Sequence, residues 1–175
     1  NLTSYHLRKF PSEIKIIFFC VVINLTIGVS FGLYYVGNTT NFSNKGTYEH
    51  YNGSEIIDEF DIPEKYPKHI SELITTTHNH IISLTFIFII IGGIFFFSSI
   101  ITGKTKYFLI IEPFISILVT FGGIWFIRFG FPFFSYIVIF SGILMYLSFF
   151  IMVTSILYEL TTNHLYTPAF TSFII

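Results

Sequence analysis

Two stretches decide the fold: residues 107–127, YFLIIEPFISILVTFGGIWFI, and residues 132–158, PFFSYIVIFSGILMYLSFFIMVTSILY. Together they hold one charged side chain, Glu112. Each is long enough to cross about 30 Å of hydrocarbon as a helix. Toward the N-terminus lie two more stretches of the same kind, 81–101 and 14–36. The expectation is an all-α membrane protein with transmembrane helices over about 14–36, 81–101, 107–127 and 132–157, in a single membrane domain covering 1–175.

Composition supports this. Of 175 residues, 53% are hydrophobic and 11% charged, too little polar surface to cover a soluble globule of that size. One cysteine, Cys20, lies inside the first apolar stretch, which excludes an intrachain disulfide and any Cys-based zinc or iron–sulfur site. A net charge of −1 without a basic run speaks against a nucleic-acid partner. The first stretch is too long for a cleaved signal peptide and lacks its small-residue exit, so it reads as a retained helix.

Short connections, 102–106 with Gly103 and 128–131 with Gly130, force the second, third and fourth helices into antiparallel neighbours. The expected architecture is an antiparallel four-helix bundle with a polar outer loop, 37–70, between the first two helices. That loop reads as irregular, with turns at Asn52-Gly53 and near Pro63 and Pro67. Ser71 is the expected N-cap of the second helix. Arg8, Lys9, Lys15, Lys104 and Lys106 flank one side of the membrane, and Lys45, Lys65, Lys68 and Arg128 the other. Because Lys15, Lys104 and Lys106 abut the helices, both termini are expected in the cytoplasm and the acidic loop outside. That outer segment, with the start of the second helix, carries Glu49, Glu55, Asp58, Glu59, Asp61, Glu64 and Glu72.

Small residues mark candidate packing surfaces: Gly28 and Gly32 on the first helix, Gly92 and Gly93 on the second, Gly122 and Gly123 on the third. Two polar features carry the candidate chemistry. An ionised glutamate in hydrocarbon costs several kcal/mol unless it is neutral, paired or wet. Glu112 therefore reads either as a proton-relay or subunit-contact group, or as a carboxyl bonded to Ser98, Ser99 or Ser116. Pro113, next to it, frees a carbonyl in the preceding turn. Arg128, at the outer end of the same helix, reads as a headgroup anchor or a partner for the acidic loop.

Histidines supply the second feature. His50, His69, His78 and His80 fall on the outer side, and neutral imidazole ligates both b-type haem and transition metals. Positions two apart on a helix point about 200° from each other, so at most one of His78 and His80 faces the bundle. His80 is the better candidate, because Thr76, Thr77 and Ser83 share its side. No second histidine lies within a span, so haem would need His50, His69, a non-histidine ligand or another subunit. Trp125, Tyr107, Tyr136 and Tyr158 read as interface anchors. No hydrolase, kinase or dinucleotide fingerprint occurs, which leans against catalysis by the chain itself.

The loop motif His50-Tyr51-Asn52-Gly53, the helix motif Thr76-Thr77-His78-Asn79-His80 and Ile111-Glu112-Pro113-Phe114 give the chain a family look. It resembles a group of small bacterial inner-membrane proteins with four helices that sit among respiratory proteins. The resemblance implies an accessory subunit of a respiratory or energy-conserving complex, with lipid and other membrane subunits as partners. The alternative is a small haem- or metal-binding redox protein with its site at the outer face.

Overall fold

The computed structural model describes residues 6–54 and 62–162. Glu55, Asp58, Glu59, Asp61 and His164 lie outside the described residues. Among the described residues a 3-10 turn at Leu7–Lys9 is followed by five α-helices: α1 Ser12–Thr40, α2 Asn44–Asn52, α3 Ile70–Phe96, α4 Gly103–Arg128 and α5 Phe134–Thr162. Four of them, α1, α3, α4 and α5, are long and apolar enough to cross a membrane. No strand occurs among the described residues. The protein is an all-helical bundle of four candidate spans.

The bundle centres on α3, α4 and α5. Ile91, Phe95, Ile124, Phe149 and Met152 are almost wholly buried between them, and Phe88 sets its ring edge-on against Phe114 and Phe149. Lipid offers no hydrophobic reward for helix association, so close approach and hydrogen bonds must hold these helices together. Gly123 supplies the closest approach: a Cβ there would lie 2.6 Å from Val138 Cγ2. Of the other glycines read as packing surfaces, Gly92 stands 3.5 Å from Ile110 and Gly32 3.9 Å from the Tyr146 hydroxyl, ordinary contacts, while Gly28, Gly93 and Gly122 face open space.

α1 joins this core along one face, through Val22 and Val29, and is the least covered of the four. Only 6% of its most apolar window is buried, against 28% in α3, 44% in α4 and 39% in α5. It is fastened at its ends. At the amino-terminal end Leu7 is fully buried, its N–H donates to the Phe97 carbonyl at 2.9 Å, and Phe10 packs edge-on against Phe18 and Phe97. At the other end α1 turns at Asn41 and Phe42, both in the left-handed region, into α2. Ser43 caps α2 by accepting from the Gly46 N–H at 3.0 Å. A side chain at Gly46 would overlap the Thr40 carbonyl.

Three expectations about boundaries are corrected. The loop expected to be irregular over 37–70 instead continues α1 to Thr40 and then forms α2, because Ser43 and Gly46 supply a cap and a tight approach. Its expected turn at Asn52-Gly53 is present, with Gly53 at φ 88° ending α2. α3 starts at Ile70 with His69 at the cap position, so Ser71 lies inside the helix. α3 also ends at Phe96, short of residue 101, and the connection to α4 runs over 97–102. Ser98 and Ser99 leave the helix there because their polar groups bond a carboxylate on α5. α4 is continuous through Pro113.

Candidate functional site

α5 places a ladder of small hydroxyls on its buried face. Ser141, Ser148 and Ser155 recur every seven residues, all buried, and Glu159 follows one turn later. Each rung has its own partner. Ser141 Oγ meets Thr120 Oγ1 of α4 at 2.7 Å, Ser148 Oγ donates to Glu112 Oε2 at 2.7 Å, and Ser155 Oγ donates to the Ile151 carbonyl at 2.8 Å. Ser135, at the head of α5, is buried with no partner for its hydroxyl among the described residues.

Glu159 is the polar hub of the amino-terminal end. Ser98 Oγ donates to its Oε2 at 2.7 Å, the Ser99 N–H to the same oxygen at 2.8 Å, and Ser99 Oγ to Oε1 at 2.8 Å. Arg8 Nε stands 3.6 Å from Oε1, with the Glu159 side chain fully covered. Nearby carbonyls take two neighbouring cations: Lys106 Nζ donates to the Ser98 carbonyl at 2.7 Å and Lys15 Nζ to the Arg8 carbonyl at 2.8 Å. One carboxylate thus ties the 3-10 turn, the α3–α4 connection and α5 together.

Glu112 is the second buried carboxyl, 6% exposed on α4. Its oxygens accept from Ser116 of the same helix and Ser148 of α5. Of the three serines expected to hold it, Ser116 does. Ser98 and Ser99 do not, since they belong to Glu159 one hydroxyl rung and more away along α5. The carboxyl lines a surface groove of about 500 Å³ between α4 and α5, together with Tyr107, Ile111, Ser116, Phe140 and Ser141.

The histidine candidates are spread out. His78, His80 and His69 are exposed and His50 half-buried. His80 lies on the α4 side of α3, stacked on Phe121 with ring centroids 5.0 Å apart, and its Nδ1 bonds the Thr76 carbonyl at 2.8 Å. Among the described residues no three His, Cys, Asp or Glu side chains converge to hold a metal ion. Burial and then the charges of Lys68 and Lys65 hold His50 below the usual 6.5, against an opposing pull from Glu72. Burial pushes the neighbouring Tyr51 up to about 12. Lys68 itself pairs with Glu72 at 2.5 Å.

Arg128 and Trp125 take protein partners rather than free headgroup positions. Arg128 Nε donates to the Lys68 carbonyl at 2.6 Å and Trp125 Nε1 to Thr77 Oγ1 at 3.0 Å. Both contacts fasten the α2 end of the bundle.

What fold and site define is an integral membrane helical domain with carboxyls inside its bundle. The chain belongs to the Aq_1264_TM family, a transmembrane helical domain whose model matches residues 41–166. No curated protein and no solved structure matches the chain.

Proposed function

We propose that the chain is an accessory subunit, without catalysis of its own, of a larger complex in a bacterial inner membrane. Both termini are cytoplasmic in this reading, the α2 end lies outside, and the partners are other membrane subunits and lipid. The energy-conserving setting rests on the resemblance of its loop and helix motifs to proteins found among respiratory components.

The observation that carries the reading is α1. A 29-residue apolar helix covered by its own chain along one face only carries an amide, Asn24, on its exposed side. The Asn24 Nδ2 group donates to the Cys20 carbonyl at 2.8 Å, and no bond to its Oδ1 is formed among the described residues. An amide oxygen in hydrocarbon gains from a donor on a neighbouring helix, typically about 1 kcal/mol. Gly28, one turn on and open to space, lets that helix come near. Asn24→Leu combined with Gly28→Leu is expected to release the chain from a larger assembly without loss of helix content, read by native mass spectrometry after mild solubilisation. A wild-type chain that is already alone in native-membrane nanodiscs contradicts the reading. A Soret band or bound metal in the purified protein, lost in His80→Ala, establishes the redox alternative instead.

A further inference from the structure

The two buried glutamates are wired differently, and the difference assigns them different chemistry. One oxygen of Glu159 accepts from the Ser99 backbone N–H, a donor that cannot reverse, and the other, which accepts from the Ser99 hydroxyl, has the Arg8 cation 3.6 Å away to favour the charged form. A proton on the first oxygen would face a fixed donor. Glu112 bonds only hydroxyls, those of Ser116 and Ser148, and makes no ion pair among the described residues. A hydroxyl both donates and accepts. Turning one of the two hydroxyls so that it accepts rather than donates lets the site hold either the carboxylate or the acid with no movement of the backbone.

The groove supplies access. Tyr107, Ile111, Ile115 and Phe140 around it are all more than half exposed on the bundle surface, so its mouth opens toward lipid rather than into the core. We propose that Glu112 is a proton-exchanging carboxyl, reached from the lipid-facing groove between α4 and α5. The groups that face it are the Ser116 and Ser148 hydroxyls and, along the groove, the Tyr107 phenol. α3, packed against α4, carries Glu72, His78 and His80 toward its opposite end, and Lys106 is engaged with the Ser98 carbonyl.

A hydrophobic carbodiimide tests this on the full chain in proteoliposomes. The acid proton passes to a carbodiimide nitrogen, the carboxyl oxygen adds to the central carbon, and an acyl shift to nitrogen leaves a stable N-acylurea. Atoms are only added, and nothing is oxidised or reduced. With dicyclohexylcarbodiimide, the expected result is a single adduct on the peptide bearing Glu112. Its yield should fall about tenfold per pH unit once the acid is the minority form. Glu159 stays unlabelled, and Glu112→Gln loses the adduct. Infrared spectra of the wild type should also show an acid carbonyl band that shifts in heavy water, a readout that stands even if the variant fails to insert. No adduct at Glu112 at any pH, an adduct independent of pH, or equal labelling of Glu159 overturns the proposal.

Discussion

Replacing Glu159 with alanine is expected to destabilise the protein by about 3–5 kcal/mol and to free the 3-10 turn from the bundle. The loss is large because three donors lose their acceptor together: the Ser98 hydroxyl, the Ser99 hydroxyl and the Ser99 N–H. A buried donor left without an acceptor costs about 1–3 kcal/mol. Arg8 adds little, since its side chain is 54% exposed and its charge is screened by solvent. Thermal unfolding in nanodiscs should therefore rank wild type above Glu159→Gln, which keeps one acceptor oxygen and gains clashing donors, and that above Glu159→Ala. Arg8→Ala should stay near wild type. An Arg8→Ala loss equal to that of Glu159→Ala would show that the ion pair, rather than the hydrogen bonds, holds this end.

Gly123→Leu is expected to cost about 3 kcal/mol, the upper range for overpacking. Its new Cβ alone would come within 2.6 Å of Val138 Cγ2, and a β-branched valine has few rotamers through which to withdraw. The helices must separate, stretching the Thr120–Ser141 contact about one turn away and, further along in the same direction, the Glu112–Ser148 contact. Gly122 is the internal control, because a Cβ there meets open space and Gly122→Leu should stay within about 0.5 kcal/mol of wild type. Val138→Ala should recover part of the Gly123→Leu loss. Equal losses at both glycines would mean that the α4–α5 approach is not set by Gly123.

Hydropathy made the spans legible, since length and apolar content are properties of each segment alone. Which face of each helix turns inward was far less so. Runs such as 107–127 are apolar on every side, so no contrast between a polar and an apolar stripe points to a neighbour. The six glycines illustrate the limit: in sequence Gly122 and Gly123 are equivalent, and only packing separates them. Glu159 was missed for a related reason. It sits one residue beyond a stretch delimited by the absence of charge, where a carboxylate reads as the start of solvent. The signal that points to it is the seven-residue spacing of Ser141, Ser148 and Ser155, which marks one face of α5 as the packed one and puts Glu159 in line with it.

Long-range bonds account for the other differences. The early end of α3 follows from bonds to a residue some sixty positions away, and the anchoring of Arg128 and Trp125 follows from contacts with Lys68 and Thr77. No local pattern encodes such pairings. α2 was nearer to being readable, since Ser43 three residues before Gly46 is a capping arrangement, but its Asn, Gly and Tyr content hides a short helix whose stability comes from the Thr40 contact.

The account depends on four crossings that put α2 and the 97–102 connection on opposite faces of the membrane. Single cysteines at the exposed positions Lys45 and Lys104, in a Cys20→Ser background, test this with an impermeant thiol reagent on sealed, oriented vesicles. The account predicts that Lys45→Cys and Lys104→Cys label from opposite sides, with Lys104→Cys reached only from the cytoplasmic face. Labelling of both from the same side would contradict it.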